Sequence, residues 1–167
     1  LYGETFYEFK KNGEWSFGRL GTDNYEGWLK NKKLGKKTNF SHFICASSAI
    51  LLEKPDVKSK FVNYLSIRSR INAVSFKSNW AKVYLIENKK YEYAFISKFH
   101  IIKKNKYIKD WVEIAENLIG TPYRWGGRTS LGIDCSALLQ ISYAFLGIEL
   151  PRDSYDQYLF FQKSTLY

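Results

Sequence analysis

The sequence predicts an α+β protein in which short β-strands come first and helices follow. Over residues 1–103, short aromatic and alternating runs are separated by turn residues, as is typical of small antiparallel sheets. From residue 110 the apolar residues instead recur at helical spacing. The 45% hydrophobic content, with only three prolines, indicates a packed globular chain, and 167 residues suffice for one ordinary domain or two to three very small ones.

The first predicted β region covers residues 1–31. The runs "ETFYEF", "EWSFGRL" and "YEGWL" are separated by the turn stretches "KKNG" and "GTDN". Residues 32–43 follow as a charged stretch without apolar periodicity, which we interpret as a linker.

A second β region covers residues 44–103. Its runs, "FICASSAILL", "KFVNYLSI", "INAVSF", "AKVYLI" and "YEYAFI", are short and closely spaced, which favours a small barrel over a parallel sheet. Cys45 lies in an apolar alternating context and is expected to be a small buried strand residue.

Three helices are predicted over residues 106–167. Asp110, with Glu113 three residues on, forms a capping-box pattern before an apolar stripe that Gly120 ends. A second helix runs from about Cys135 to Leu146, with Asp134 as its N-cap. Ser154 and Gln157 form another capping-box pattern, so Ser154 is the expected cap of the third helix.

The net charge of +10 is concentrated in the predicted β regions. Residues 1–110 carry 22 Lys and Arg against 10 Asp and Glu, whereas residues 111–167 carry 4 against 6. A basic surface can meet nucleic acid, an anionic cell wall or acidic peptides, but a solvated lysine-rich surface explains the charge as well. No run approaches the roughly 18 apolar residues needed to span a bilayer, so no transmembrane segment is expected.

Cys135 is the candidate nucleophile. At the first turn of a helix, the N-terminal dipole stabilises a thiolate and free backbone N–H groups face a developing oxyanion. Gly126, Gly127 and Gly132 would let the backbone approach a substrate closely. A buried structural cysteine beside a glycine turn is the competing interpretation, and a Cys45–Cys135 disulfide is discounted because it would silence the thiol.

The stretch "TPYRWGGRTSLGIDCSALLQ" resembles the signature of the NlpC family of bacterial cell-wall cysteine peptidases, which have a papain-like core. The matching positions are Pro122, Tyr123, Trp125, Gly126, Gly127, Asp134, Cys135, Ser136 and Gln140. Ala137 departs from the family's usual glycine, and the later "PRDS" also fits. Bacterial SH3-like domains commonly precede this catalytic domain. Residues 44–103 resemble a whole one, residues 1–31 the C-terminal part of another, and residues 106–167 the N-terminal, helical half of the peptidase domain.

The resemblance implies an endopeptidase that cleaves peptidoglycan stem peptides through a Cys135 thioester, at the γ-D-Glu–diamino acid bond of L-Ala-γ-D-Glu-diaminopimelate. The substrate would carry a free N-terminal amine. Tyr123 would lie on the oxyanion side of the cysteine, and Trp125 and Arg124 would be packing and surface residues. The substrate-binding residues would be Asp134, Ser136, Asp153, Ser154 and Tyr25, because carboxylates and hydroxyls suit an ammonium group. Asp134 and Ser154 could instead be plain helix caps, Ser136 a surface serine, and Asp153 a partner of Arg152 or a lysine.

The base that would activate Cys135 is not evident. Both histidines, His42 and His100, precede the cysteine, whereas the family places its histidine after it. His100 lies in an apolar context typical of a satisfied structural histidine. We expect a chain truncated at both ends, whose residues 1–167 alone have no peptidase activity. A permuted site using His100 and a catalytically inactive domain are the other two explanations.

A different class of protein remains as the alternative function. The basic SH3-like modules could make this an inactive protein that binds cell wall or nucleic acid, although no nucleic acid is expected as the partner. The peptidase hypothesis implies no cofactor and no metal. A free-amine substrate favours cytoplasmic recycling of wall peptides over a periplasmic or secreted location.

Overall fold

The computed structural model describes residues 1–86 and 90–164 and contains three α-helices and twelve strands in those ranges. Helix α1 is Trp111–Glu116, α2 is Cys135–Ala144 and α3 is Ser154–Ser164. The strands are β1 (Phe6–Asn12), β2 (Trp15–Leu20), β3 (Glu26–Lys30), β4 (His42–Ile44), β5 (Ser48–Leu52), β6 (Phe61–Ser66), β7 (Arg70–Lys77), β8 (Trp80–Tyr84), β9 (Tyr93–Ser97), β10 (Ile101–Lys103), β11 (Arg128–Thr129) and β12 (Gly132–Ile133). The α+β class predicted from the sequence is confirmed. None of the helices described is long and apolar enough to cross a membrane.

The chain divides into two compact units, and it passes between them three times. The sheet unit contains residues 1–3 and 35–106. The cysteine unit contains residues 4–34 and 107–167 and so includes Cys135. The β-strands of residues 4–34 therefore belong with the helices rather than with the strands of residues 42–103.

The sheet unit holds seven strands in the order β10-β4-β7-β8-β9-β5-β6, with every pair antiparallel. Alternate residues of β5, β8 and β9 point into one apolar core, as the period-2 patterns predict. Its buried members are Ile44, Ala49, Leu51, Leu65, Ile71, Ala81, Val83, Leu85, Ala94 and Ile96.

Two predicted features of this unit need correction. The single run "FICASSAILL" is two strands, β4 and β5, and Cys45 lies half-buried between them instead of inside a strand. Strand β4 begins at His42, inside the stretch predicted as a linker. A three-residue strand leaves too few alternating positions for its start to be located from the pattern.

In the cysteine unit, β1, β2 and β3 form an antiparallel sheet, β11 and β12 form a hairpin, and the helices pack on one another. The β1–β2 turn is at Gly13, with φ +54°, where "KKNG" predicted it. Ile114 of α1 and Ile141 of α2 are fully buried, and Tyr143 of α2 stacks on Trp111 and meets the ring of Phe161 edge-on. Both α1 and α2 are shorter than predicted, because each ends in a tight turn before its closing glycine, Gly120 at φ +84° and Gly147 at φ +85°.

Candidate active site

Cys135 is the first residue of α2 and its side chain is exposed. Asp134 is the N-cap, as predicted: its Oδ1 accepts a hydrogen bond of 2.8 Å from the N–H of Ala137. The first N–H groups of a helix have no acceptor inside it, so those of Cys135 and Ser136 remain available to an oxyanion. Both cysteines are free thiols, and the thiol of Cys135 can therefore act as a nucleophile.

The glycine-rich loop folds back on the start of α2. The N–H of Gly126 donates to Asp134 Oδ2 at 2.9 Å, and the N–H of Asp134 donates to Gly127 O at 3.2 Å. A Cβ placed on Gly127 would lie 2.4 Å from the carbonyl oxygen of Gly132, a contact that no side chain tolerates. The sequence suggested that Gly127 leaves room for a substrate, but its immediate role is to let the loop pack on its own backbone.

Arg152 lies beside the two residues that flank Cys135. Its Nη2 bonds Asp134 Oδ2 at 2.6 Å, while its Nη1 bonds Asp134 Oδ1 at 3.1 Å and Ser136 Oγ at 2.8 Å. All three side chains are buried. The suggested pairing of Asp153 with Arg152 is therefore wrong, because the guanidinium is directed inward to Asp134.

The carboxylate of Asp134 is saturated with donors. Its two oxygens accept from Gly126 N–H, Ala137 N–H, Ser136 Oγ and both terminal nitrogens of Arg152. Burial by itself raises the pKa of this carboxyl group, but the bonds from Arg152 and the two N–H groups outweigh it and hold the pKa below its ordinary value of 3.8. Asp134 is therefore a buried anion with its hydrogen-bonding capacity in use.

Asp153 and Ser154 are exposed at the start of α3. The capping-box prediction for Ser154 is wrong: Ser154 is already the first helical residue, and Asp153 O accepts the N–H of Gln157. The Gln157 side chain instead donates to Ser136 O at 2.9 Å and Pro151 O at 2.8 Å, which fastens α3 to the start of α2. Asp153 and Ser154 thus follow directly on Arg152, with their side chains open to solvent.

A second buried polar network joins residues 4–34 to α2. Asp23 Oδ2 accepts from Gln140 Nε2 of α2 at 2.9 Å and lies 3.8 Å from Arg128 Nη2, which also pairs with Glu4 at 3.1 Å. Asp23 Oδ1 in turn accepts the N–H of Tyr25 at 3.1 Å. The loop that carries the exposed Tyr25 is therefore fixed to the same helix that begins at Cys135.

Tyr123 and Trp125 both lie on the loop before β11 with exposed side chains. Tyr123 forms an isolated bridge with Ile133, directly before the N-cap Asp134, so its backbone is held near the start of α2. The side chain of Trp125 is 89% exposed, so the prediction that it is a packing residue is wrong.

Both histidines belong to the sheet unit, and the cysteine unit contains none. His42 is buried, its Nδ1 lies 2.8 Å from Ser41 Oγ, and burial followed by the charge of Lys103 lowers its pKa below 6.5. His100 Nδ1 is buried without a hydrogen-bond partner among the residues described, so the expected satisfied histidine is not found.

Sequence reasoning missed Arg152, Asp23 and Arg128 as parts of this site. Arg152 stood within the matched "PRDS" stretch, which was the available signal. Asp23 lies in the turn stretch "GTDN", whose composition explains a turn equally well. Nothing local to Arg128 indicates that it pairs with Glu4, 124 residues earlier.

Comparison with known proteins agrees with the resemblance found in the sequence. Residues 120–166 match the model of the NlpC/P60 family, and residues 1–34 match the model of the bacterial dipeptidyl-peptidase SH3 domain. The first match includes Cys135, and the second includes Tyr25.

Particular relatives extend this match over most of the chain. The gamma-D-glutamyl-L-lysine dipeptidyl-peptidase of Bacillus subtilis is 23% identical over 94% of this chain and 55% of its own length. The dipeptidyl-peptidase 6 of Lysinibacillus sphaericus is 40% identical over 33% of this chain and 20% of its own length. The crystal structure of an NlpC/P60 family protein from Bacillus cereus superposes with a TM-score of 0.78 at 24% identity, over 94% of this chain and 57% of the other, so the two share a fold. The chain spans about half the length, or less, of these relatives.

Proposed function

We propose that the protein containing these 167 residues is a cysteine endopeptidase that cleaves peptidoglycan stem peptides at the γ-D-Glu–diamino acid bond. The observation that carries the proposal is the exposed Cys135 at the first residue of α2. Its thiolate would attack the γ-carbonyl carbon and release the amine of the diamino acid, leaving a thioester that water then hydrolyses. The N–H groups of Cys135 and Ser136 would hold the oxyanion, with Tyr123 on the same side.

The domain organisation proposed with this function is SH3-like over residues 1–31 and 42–103, joined by residues 32–41, with peptidase over residues 106–167. The match of residues 1–34 to an SH3 domain model supports the first of these assignments. The names of the relatives, two dipeptidyl-peptidases of which one is named for gamma-D-glutamyl-L-lysine, support the substrate class.

The free N-terminal amine of the substrate is proposed to meet Asp153, Ser154 and Tyr25. Asp153 offers an exposed carboxylate, and Tyr25 lies on the loop that Asp23 fixes to α2. Asp134 and Ser136 already bond Arg152, so their part in binding the ammonium is indirect: they hold the segment that carries Asp153. A substrate with a free amine also suits recycling of wall peptides inside the cell, which is the proposed location.

The proposal is tested by hydrolysis of L-Ala-γ-D-Glu-diaminopimelate by the whole protein. We expect cleavage of the free-amine peptide, none of its N-acetyl form, and none by the Cys135→Ser variant. The Cys45→Ser variant is the control and should keep full activity, since Cys45 lies in the other unit. Equal rates for the Cys135→Ser variant and the unmodified protein would overturn the proposal.

The 167 residues on their own permit a second measurement. The cysteine unit contains no histidine, so we expect no turnover from them. The dipeptide L-Ala-γ-D-Glu should nevertheless slow alkylation of Cys135 by iodoacetamide, measured in the Cys45→Ser background, and N-acetylation of the dipeptide should remove the protection.

A further inference from the structure

The buried guanidinium of Arg152 bonds the residues on both sides of Cys135. It reaches Asp134, the N-cap, through two hydrogen bonds and Ser136 through a third. Gln157, five residues further on, also donates to the carbonyl of Ser136. The first turn of α2 is therefore held by the segment that leads into α3, independently of the bonds within α2.

The charge of Asp134 makes the position of Arg152 important for the thiol. Asp134 and Cys135 are adjacent in the chain, with Cα atoms about 3.8 Å apart. A lone carboxylate on the residue next to Cys135 would oppose a thiolate and cancel part of the favourable field at the helix N-terminus. A bidentate Arg–carboxylate pair has no net charge, so the helix field acts on Cys135 without this opposition.

Other charged side chains on the elements that contact α2 do not replace Arg152. Arg128 on β11 pairs with Glu4 and Asp23. Helix α1 carries acidic residues and neither lysine nor arginine. The remaining charged residues on these elements and beside Arg152 are Glu113 and Glu116 of α1, Asp153, and Asp156 and Lys163 of α3. Among the described contacts, only those of Arg152 bring a cation to the carboxylate beside Cys135.

We propose that Arg152 is a positioning residue for Cys135: it fixes Asp134 and Ser136 on either side of the thiol and neutralises the carboxylate next to the thiolate. The inference rests on the proposed function, in which Cys135 is the nucleophile. Arg152 itself is buried and acts through its two partners, so it does not contact the substrate.

The test is the pH profile of Cys135 alkylation by iodoacetamide in the 167-residue chain, in the Cys45→Ser background. The Arg152→Gln variant removes the cation and keeps Asp134. It should raise the midpoint of the profile by about one pH unit, so that Cys135 is alkylated about tenfold more slowly at a pH below the midpoint. Arg152→Lys keeps the positive charge, so its midpoint should lie close to that of the unmodified chain. Lys163→Gln removes an exposed positive charge from the same unit and should leave the midpoint unchanged.

The double variant Asp134→Asn/Arg152→Gln separates charge from structure. Asparagine is also a good N-cap, and no lone carboxylate remains, so the midpoint should return to that of the unmodified chain. If Arg152→Gln fails to fold, the double variant still tests the inference, because its own midpoint can be compared with that of the unmodified chain. A midpoint that stays raised in the double variant, or does not rise in a folded Arg152→Gln, would overturn the inference.

This readout requires no peptide hydrolysis, so it is separable from the proposed function. If the Cys135→Ser variant of the whole protein still cleaves the peptide, the proposed function fails whatever the alkylation midpoint does. If that variant is inactive but Arg152→Gln leaves the midpoint unmoved, only the role of Arg152 fails.

Discussion

The two units differ in their most prominent buried groups, although the sheet unit also buries His42 and Arg68. The core of the sheet unit is aliphatic, with Leu51, Ile71 and Ile96 among its fully buried residues. The cysteine unit also buries apolar residues, but between its segments lie the two polar networks centred on Arg128 and Arg152. Hydrophobic burial is non-directional, whereas hydrogen-bonded charges demand one geometry. The difference indicates that the sheet unit is built for stability, while the cysteine unit also fixes the orientation of particular side chains.

The largest expected loss of stability comes from the cysteine unit. Arg128→Met removes the cation that lies between the carboxylates of Glu4 and Asp23, whose side chains are 5% and 0% exposed. Removing one partner of such a buried arrangement costs about 4 kcal/mol of unfolding free energy. Urea denaturation measures this loss, and the exposed Arg124→Met, four residues earlier, is the control expected to change stability by less than about 0.5 kcal/mol. Similar small losses for both variants would show that the Arg128 network does not stabilise the unit.

A slightly smaller loss is expected from the aliphatic core. Leu51→Ala deletes a side chain that is 1% exposed and should destabilise the sheet unit by about 3 kcal/mol. Its neighbour Ile50 lies on the same strand but is 53% exposed, and Ile50→Ala should cost less than about 1 kcal/mol. The comparison fails if the two alanine variants are equally destabilised in thermal or urea unfolding.

The smallest effect is the response of the two units to acid. The pKa of His42 is lowered in the folded state, so the unfolded chain binds the proton more readily and the sheet unit loses stability as the pH falls below 6.5. The pKa of Asp134 is also lowered, but from 3.8, so the stability that it contributes is present above that pH and is lost only as the pH falls further. Urea unfolding between pH 7 and about pH 2, followed by NMR signals from each unit, should show the two windows.

His42→Gln provides the control for that measurement. It removes the titrating ring, so it should flatten the pH dependence of the sheet unit below pH 6.5 and leave that of the cysteine unit as it was. An unchanged profile for the sheet unit would mean that His42 is not its acid-sensitive group.

The features that the sequence predicted correctly depend on residues close together in the chain. Asp134 caps α2 because its oxygen reaches a backbone N–H three residues on, and the turn at Gly13 follows from its own backbone freedom. The α+β order and most strands of the sheet unit follow from periodicity within runs of five to eight residues.

The features that were missed or wrong depend on distant partners. Arg152 could pair with Asp153 beside it or with Asp134, 18 residues earlier, and only the packing of the segment before α3 against α2 decides between them. Gln157 lies at capping-box spacing from Ser154, yet its amide reaches the carbonyl of Ser136 because α3 packs beside that carbonyl. A local pattern cannot decide between such competing partners, because only the tertiary structure determines which of them lies close enough to bond.

The bond between Asp23 and Gln140 also has a consequence for the order of folding. It joins positions 117 residues apart, and closing so long a loop in an unfolded chain costs entropy and slows folding. Residues 35–106 of the sheet unit lie within that loop, and there Lys104 N–H donates to Ser41 O at 3.0 Å, so the first and last strands of this part of the chain are adjacent. Once the sheet unit has folded, most of the loop is already closed. We therefore expect the sheet unit to form first, so that a core substitution that slows its folding would also delay assembly of the segments around Cys135.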